Sequence, residues 1–256
     1  FLQKQQRSLG ISDEEKIKIA VKSLGLDDLK PFHPKERIIE YLLEDKLSNK
    51  LIDMDLVAFA DETASESPAP GGGSIAAYCG VMGISLGTMV ANLSSHKRGW
   101  DERWEEFSEW AVKGQAYKNE LLRLVDEDTN AFNKIMDAFG LPKATDEEKS
   151  ARKQAIQDAT KYAIQIPFRV METAYKSMEV MKAMAEFGNP NSVTDAGVGA
   201  LCARTSVLGA FMNVKINAGD LEDKYFVSEI LAKGNDIQEK AIALETEIRA
   251  VIDSKI

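Results

Sequence analysis

The chain has 256 residues, 44% of them hydrophobic, which is enough for a sizeable core and too many for wholesale disorder. A formal charge of −9 argues against nucleic acid or an anionic membrane surface as the main partner. Cys79 and Cys202 show no CxxC spacing, and His33 and His96 lie far apart, so neither a disulfide framework nor a metal site is expected.

Helical periodicity runs through almost every segment, and the strand pattern of alternation is nearly missing. The fold class predicted is all-α: a multi-helix, bundle-like domain over 51–256 behind a short helical N-terminal arm, 1–50. The opening Phe1-Leu2-Gln3-Lys4-Gln5-Gln6 is polar and unlike a secretory leader, so the reading is cytoplasmic. Ser12 with Glu15 predicts a capping box, and Ile17, Val21 and Leu24 an apolar stripe before Gly25. A second short helix is expected to bury Ile38, Ile39, Leu42 and Leu43, and a third to run from about Asp55 to Glu66.

Ser67-Pro68-Ala69-Pro70-Gly71-Gly72-Gly73-Ser74 follows. The prolines stop the preceding helix, the glycines permit close approach, and Ser74 is expected at the mouth of a helix. Bare amides there favour an anionic or strongly polar ligand; a tight turn between packed helices is the other reading. No Gly-Lys-Ser/Thr follows, so this is no nucleotide P-loop. The next helix, 75–95, places Gly80, Gly83 and Gly87 on one face, for a closely approaching helix or a flat ligand. Its charge-free run from Ile75 to Leu93 approaches bilayer length. The content of Gly, Ser, Thr, Asn and Ala, with no comparable second anchor, favours a buried central helix over a membrane span.

A long helix is predicted from Glu102 to Phe139, broken by Gly140-Leu141-Pro142. Thr145 and Glu148 form another capping box on a helix toward Gln165, and Pro167 starts or kinks the next one, to Phe187. A turn at Gly188-Asn189-Pro190-Asn191 precedes a nearly uncharged helix, 195–218, and an amphipathic one, Glu222 to Ser254.

Tyr117, Leu121, Val125, Phe132, Ile135 and Phe139 mark an inward stripe, and Asp128 falls on it while Asp126 and Glu127 fall away toward solvent. A carboxylate facing a core is costly unless paired, and burial raises its pKa toward the range a proton shuttle needs. A structural ion pair, with Arg204 as one partner, fits the same pattern. Asn213 and Asn217 share a face one turn apart, suited to reading a heterocycle or to fixing helix register. His96-Lys97-Arg98 closes helix 75–95, where cations suit the helix end and could draw an acidic tail.

Together these motifs resemble the cyclodeaminase domain of formiminotransferase-cyclodeaminase. The likeness is carried by Phe59 through Asn92, Leu124-Val125-Asp126-Glu127-Asp128 through Phe132, Leu141-Pro142-Lys143 with Glu147-Glu148-Lys149, and Gly209 through Asn217. Ile19 to Leu26 and Pro34 to Leu42 resemble the connector after the transferase part, whose catalytic machinery these residues do not include. The resemblance implies closure of 5-formiminotetrahydrofolate to 5,10-methenyltetrahydrofolate with loss of ammonia, with Asp128 catalytic. It further implies that Gly71, Gly72, Gly73, Ser74, Asn213 and Asn217 shape the pterin and imino end, and that Lys97 or Arg98 holds the glutamate tail. No prosthetic group is implied; a tetrahydrofolate derivative, with or without a polyglutamate tail, is the substrate. The implied assembly is a homodimer, or a larger ring with a linked or separate formiminotransferase. A methenyltetrahydrofolate cyclohydrolase and a non-catalytic helical dimerisation module are the competing readings.

Overall fold

The computed structural model describes residues 7–43 and 50–256, so the polar opening hexapeptide and residues 44–49, beside the expected arm–body boundary, lie outside the described residues. Among the described residues every regular element is helical. The arm holds α1 (Asp13–Ser23), α2 (Pro34–Arg37) and α3 (Ile39–Leu43). A 3-10 turn, Leu51–Asp53, and α4 (Leu56–Thr63) lead to five long helices: α5 (Gly72–Ser95), α6 (Trp104–Gly140), α7 (Asp146–Phe187), α8 (Val193–Ala218) and α9 (Lys224–Asp253).

The local signals act as expected at several ends. Ser12 accepts the Glu15 N–H at α1, one half of the expected capping box, Asp55 caps α4, and Thr145 with Glu148 closes a full capping box on α7. The arm differs in its burial. Ile39, Leu42 and Leu43 are exposed, because α2 and α3 are only four and five residues long and pack mainly on each other. The segment before α1 is instead tied to the body: Asn92 Nδ2 and Gln115 Nε2 both donate to the Gly10 carbonyl, at 2.9 and 3.0 Å.

Helix α5 sits at the centre, packed on α6, α7 and α8, and its buried face is built from small residues. A Cβ on Gly83 would lie 2.7 Å from the Gly199 carbonyl oxygen, so α5 and α8 meet backbone to backbone. Gly80 and Gly87 likewise face Leu121, Ser206 and Met181, so the glycine stripe is filled by neighbouring helices and leaves no slot for a flat ligand. By length and composition α5 could cross a bilayer, and so could Pro190–Ala218, a second such stretch where none was expected. In the fold α5 is mostly interior, with Ser74, Ser94 and Ser95 buried against protein, and the second stretch has half of its residues buried.

Pro167 neither starts nor ends a helix. Helix α7 runs through it for 42 residues. Proline has no N–H, so the Ala163 carbonyl one turn earlier loses its usual donor. Asn217 Nδ2, from α8, donates to that oxygen at 2.8 Å and supplies what the helix cannot.

Candidate functional site

Helix α5 begins at Gly72, so Gly73 and Ser74 lie within its first turn and Ser74 is not the cap; Gly71 is, with no side-chain bond. The Ser74 hydroxyl is buried and points across to α6, 2.9 Å from the Val125 carbonyl oxygen, to which it donates, and 3.3 Å from Asp128 Oδ2. A Cβ on Gly73 would fall 2.2–2.5 Å from the Asp128 carboxyl group. Glycine is therefore needed there because α6 delivers a carboxylate against the first turn of α5. The anion drawn to these helix-start amides is the protein's own Asp128.

Burial pushes the Asp128 carboxyl above the ordinary aspartate range. The Ser74 hydroxyl and backbone N–H act the other way without cancelling it. Arg204 is not its partner: that guanidinium lies 3.5 Å from the buried Glu245 on α9. Among the described residues no cation pairs with Asp128, so desolvation is left as the dominant influence. The neighbours expected in solvent are engaged. Asp126 accepts the Leu51 N–H at 2.7 Å, and Glu127 accepts the Tyr162 hydroxyl.

Asp128 opens onto a cleft of about 160 Å³ between α5, α6, α7 and α8. Gly71, Gly72, Gly73, Asn213 and Asn217 line it with Phe132 and Ile135. The inward stripe of α6 is thus only partly core. Leu121 and Val125 are fully buried, but Phe132 is 41% and Phe139 51% exposed, since in the far half the small Ala131 and Ala138 take the packed face and Phe132 faces the cleft. Lys97 and Arg98 are not brought to the cleft. They follow the far end of α5, whose 24 residues span roughly 36 Å, and Lys97 sits 4.1 Å over the Trp100 ring.

Thr129 was missed by the sequence reading. The residue lines the cleft, and its hydroxyl is buried with no partner among the described residues. A threonine in a helix commonly bonds the carbonyl four residues back, but here that oxygen, on Val125, already accepts from Ser74. Being beside Asp128 was the one available signal. The cleft therefore gathers a carboxyl of raised pKa, two amides and an aromatic edge, a set suited to moving a proton on a polar heterocyclic ligand.

A family model described as Formiminotransferase-cyclodeaminase matches residues 55–236, and one described as Formiminotransferase domain matches residues 1–44. The formimidoyltransferase-cyclodeaminase of Rattus norvegicus is 37% identical over 217 residues, 84% of this chain but 40% of that protein. The chain thus spans about two-fifths of the length of such relatives. A methenyltetrahydrofolate cyclohydrolase of Methylorubrum extorquens is 36% identical over 77% of this chain and 95% of its own length. The crystal structure of a formiminotetrahydrofolate cyclodeaminase from Thermotoga maritima superposes with a TM-score of 0.69 at 25% identity, covering 78% of this chain and 96% of that one.

Proposed function

This chain belongs to the formiminotransferase-cyclodeaminase family, and from that premise we propose that it is an ammonia lyase closing 5-formiminotetrahydrofolate to 5,10-methenyltetrahydrofolate. The observation that carries the proposal is Asp128, a carboxyl raised by burial at the inner wall of a polar cleft. N10 of the folate attacks the carbon of the protonated formimino group. Asp128, as carboxylate, takes the N10 proton and returns it to the amine, and the carbon–nitrogen bond to that amine breaks. Ammonia leaves, and the positive charge stays on the methenyl bridge, so atoms and charge balance. Asp128 in its ionised form also stabilises the amidinium before attack. Gly71–Gly73 form the floor of the site, Phe132 and Ile135 its apolar side, and Thr129 lines it beside Asp128, while the fully buried Ser74, expected among the ligand-binding residues, supports the carboxyl from behind. The substrate is the folate itself, and no prosthetic group takes part.

The near full-length likeness to a cyclohydrolase favours one second reading, in which water adds to the methenyl carbon and no ammonia forms. Supplying each folate separately decides between them. We expect methenyl absorbance to rise with one ammonia per turnover from 5-formiminotetrahydrofolate. Consumption of the methenyl compound without ammonia release would establish the hydrolase, and inertness toward both would leave a dimerisation module.

The working unit proposed is a homodimer, with a linked or separate formiminotransferase extending it to a larger ring. Met82, Met89 and Leu93 form an exposed row on α5 at spacings of seven and four, and Val198, Leu201, Met212 and Ile216 form one on the adjoining α8. Met212 is 67% and Ile216 74% exposed, a large apolar band for a chain of this charge. Met212 and Ile216 of that band are next in sequence to Asn213 and Asn217, which line the cleft. At about 160 Å³ that cleft is small against the roughly 300–1,000 Å³ of typical ligand sites, as expected if a second copy completes it. Met82→Glu with Met212→Glu is expected to halve the mass seen by light scattering. An unchanged mass would rule this face out.

A further inference from the structure

Asn217 is not free to choose which end of its amide it shows to the cleft. Pro167 leaves the Ala163 carbonyl without a backbone donor, and a carbonyl can only accept. The amide atom 2.8 Å from it must therefore be the nitrogen, which leaves Oδ1 for the cleft that Asn217 lines. Asn213 is set the same way: its Nδ2 donates to the Gly209 carbonyl at 3.0 Å on its own helix. No protein donor among the described residues reaches either oxygen, and neither is sealed from solvent. With the Asp128 carboxylate from the facing helix, the cleft presents three acceptors, and each amide nitrogen has one of its two N–H bonds already given to a backbone carbonyl.

We infer that Asn213 and Asn217 are specificity-determining residues that accept an N–H-bearing formimino group and turn away the formyl group of the same shape. The inference rests on the cyclodeaminase reading above and deepens it. The two one-carbon groups differ at one atom. Formimino ends in =NH or =NH2⁺ and donates to the amide oxygens; formyl ends in =O and meets them lone pair to lone pair. A site that leaves buried polar groups unpaired against the wrong ligand discriminates strongly. Pro167 is the positioning residue of this device: it touches no ligand, but by withholding an N–H it pins the Asn217 amide.

The test uses the full chain and two folates. KM is measured for 5-formiminotetrahydrofolate by ammonia release, and Ki for 5-formyltetrahydrofolate as inhibitor. In the wild type Ki is expected to exceed KM by about tenfold or more. Pro167→Ala restores an N–H for the Ala163 carbonyl and frees the Asn217 amide to turn; Ki should fall severalfold toward KM while kcat stays within about twofold. Asn217→Ala removes the oxygen outright and should raise KM as well as narrow the ratio. A ratio near one in the wild type, or one unchanged by both substitutions while ammonia release persists, overturns the inference alone. A wild type that releases no ammonia overturns the cyclodeaminase reading and this inference with it.

Discussion

Asp128→Asn is expected to lower ammonia release by roughly 10²–10⁴-fold while raising the melting temperature. Asparagine keeps the shape and can still accept from Ser74, which lies 3.3 Å from the carboxylate, but it cannot take up and return a proton. The stability effect follows from linkage. Burial raises the native carboxyl above its ordinary value, so between the unfolded and folded pKa the native state binds more protons than the unfolded chain. Stability therefore falls as pH rises through that interval, and the deficit persists at neutral pH. Asparagine never ionises and escapes it. Each kcal/mol recovered corresponds to about 2–4 °C in a domain of this size, and the gain should vanish when the melt is repeated below the unfolded-state pKa. The same shift sets the acid limb of the wild-type rate: as pH falls through the raised pKa the carboxylate is protonated, so kcat should decline above the ordinary aspartate range. Turnover near wild type, or a melting temperature lowered at neutral pH, would remove Asp128 from its proposed role.

What the sequence disclosed depended on how local each feature was. The all-helical class, the Thr145–Glu148 box and the break after Gly140 are written in neighbouring residues, and the structure has them. Pro167 was expected to start or kink a helix; it starts none, and its missing hydrogen bond is made good by Asn217, 50 positions away, which no local pattern shows. Periodicity placed Asp128, Phe132 and Phe139 on one stripe, but it cannot distinguish a core from the wall and rim of a cleft. The exposed rows on α5 and α8 passed unread for a related reason: an apolar residue turned outward looks like any other until its neighbours are known. Lys97 and Arg98 were expected to hold the glutamate tail, but they close helix 75–95 and a straight helix puts them at the end opposite the glycine run. The glycine run with Asp128 was the reverse case, two distant segments that the fold joins.

That junction gives the second large effect. Gly73→Ala should cost activity nearly as much as losing the carboxylate, by 100-fold or more by the order of magnitude expected when a reacting group is displaced by about 1 Å. The new methyl would lie 2.2–2.5 Å from the Asp128 carboxyl atoms, inside any real contact distance. The side chain that must give way is the reacting one, since the first turn of α5 is held by the buried Ser74 bond to Val125. Gly72→Ala is the comparison one residue away: its Cβ would sit 3.6 Å from Asn213 Nδ2, an ordinary contact that leaves Asp128 in place, so it should raise KM through the cleft floor but keep the acid limb of the rate where it was. In the Gly73→Ala protein the carboxylate is driven from Ser74 toward water, so its pKa should drop and the acid limb of the residual rate should move to lower pH. A merely loosened fold would instead lower the melting temperature and leave that limb in place. Equal activities for the two alanine variants would show that the close approach of α6 to α5 does not set the geometry of the proton shuttle.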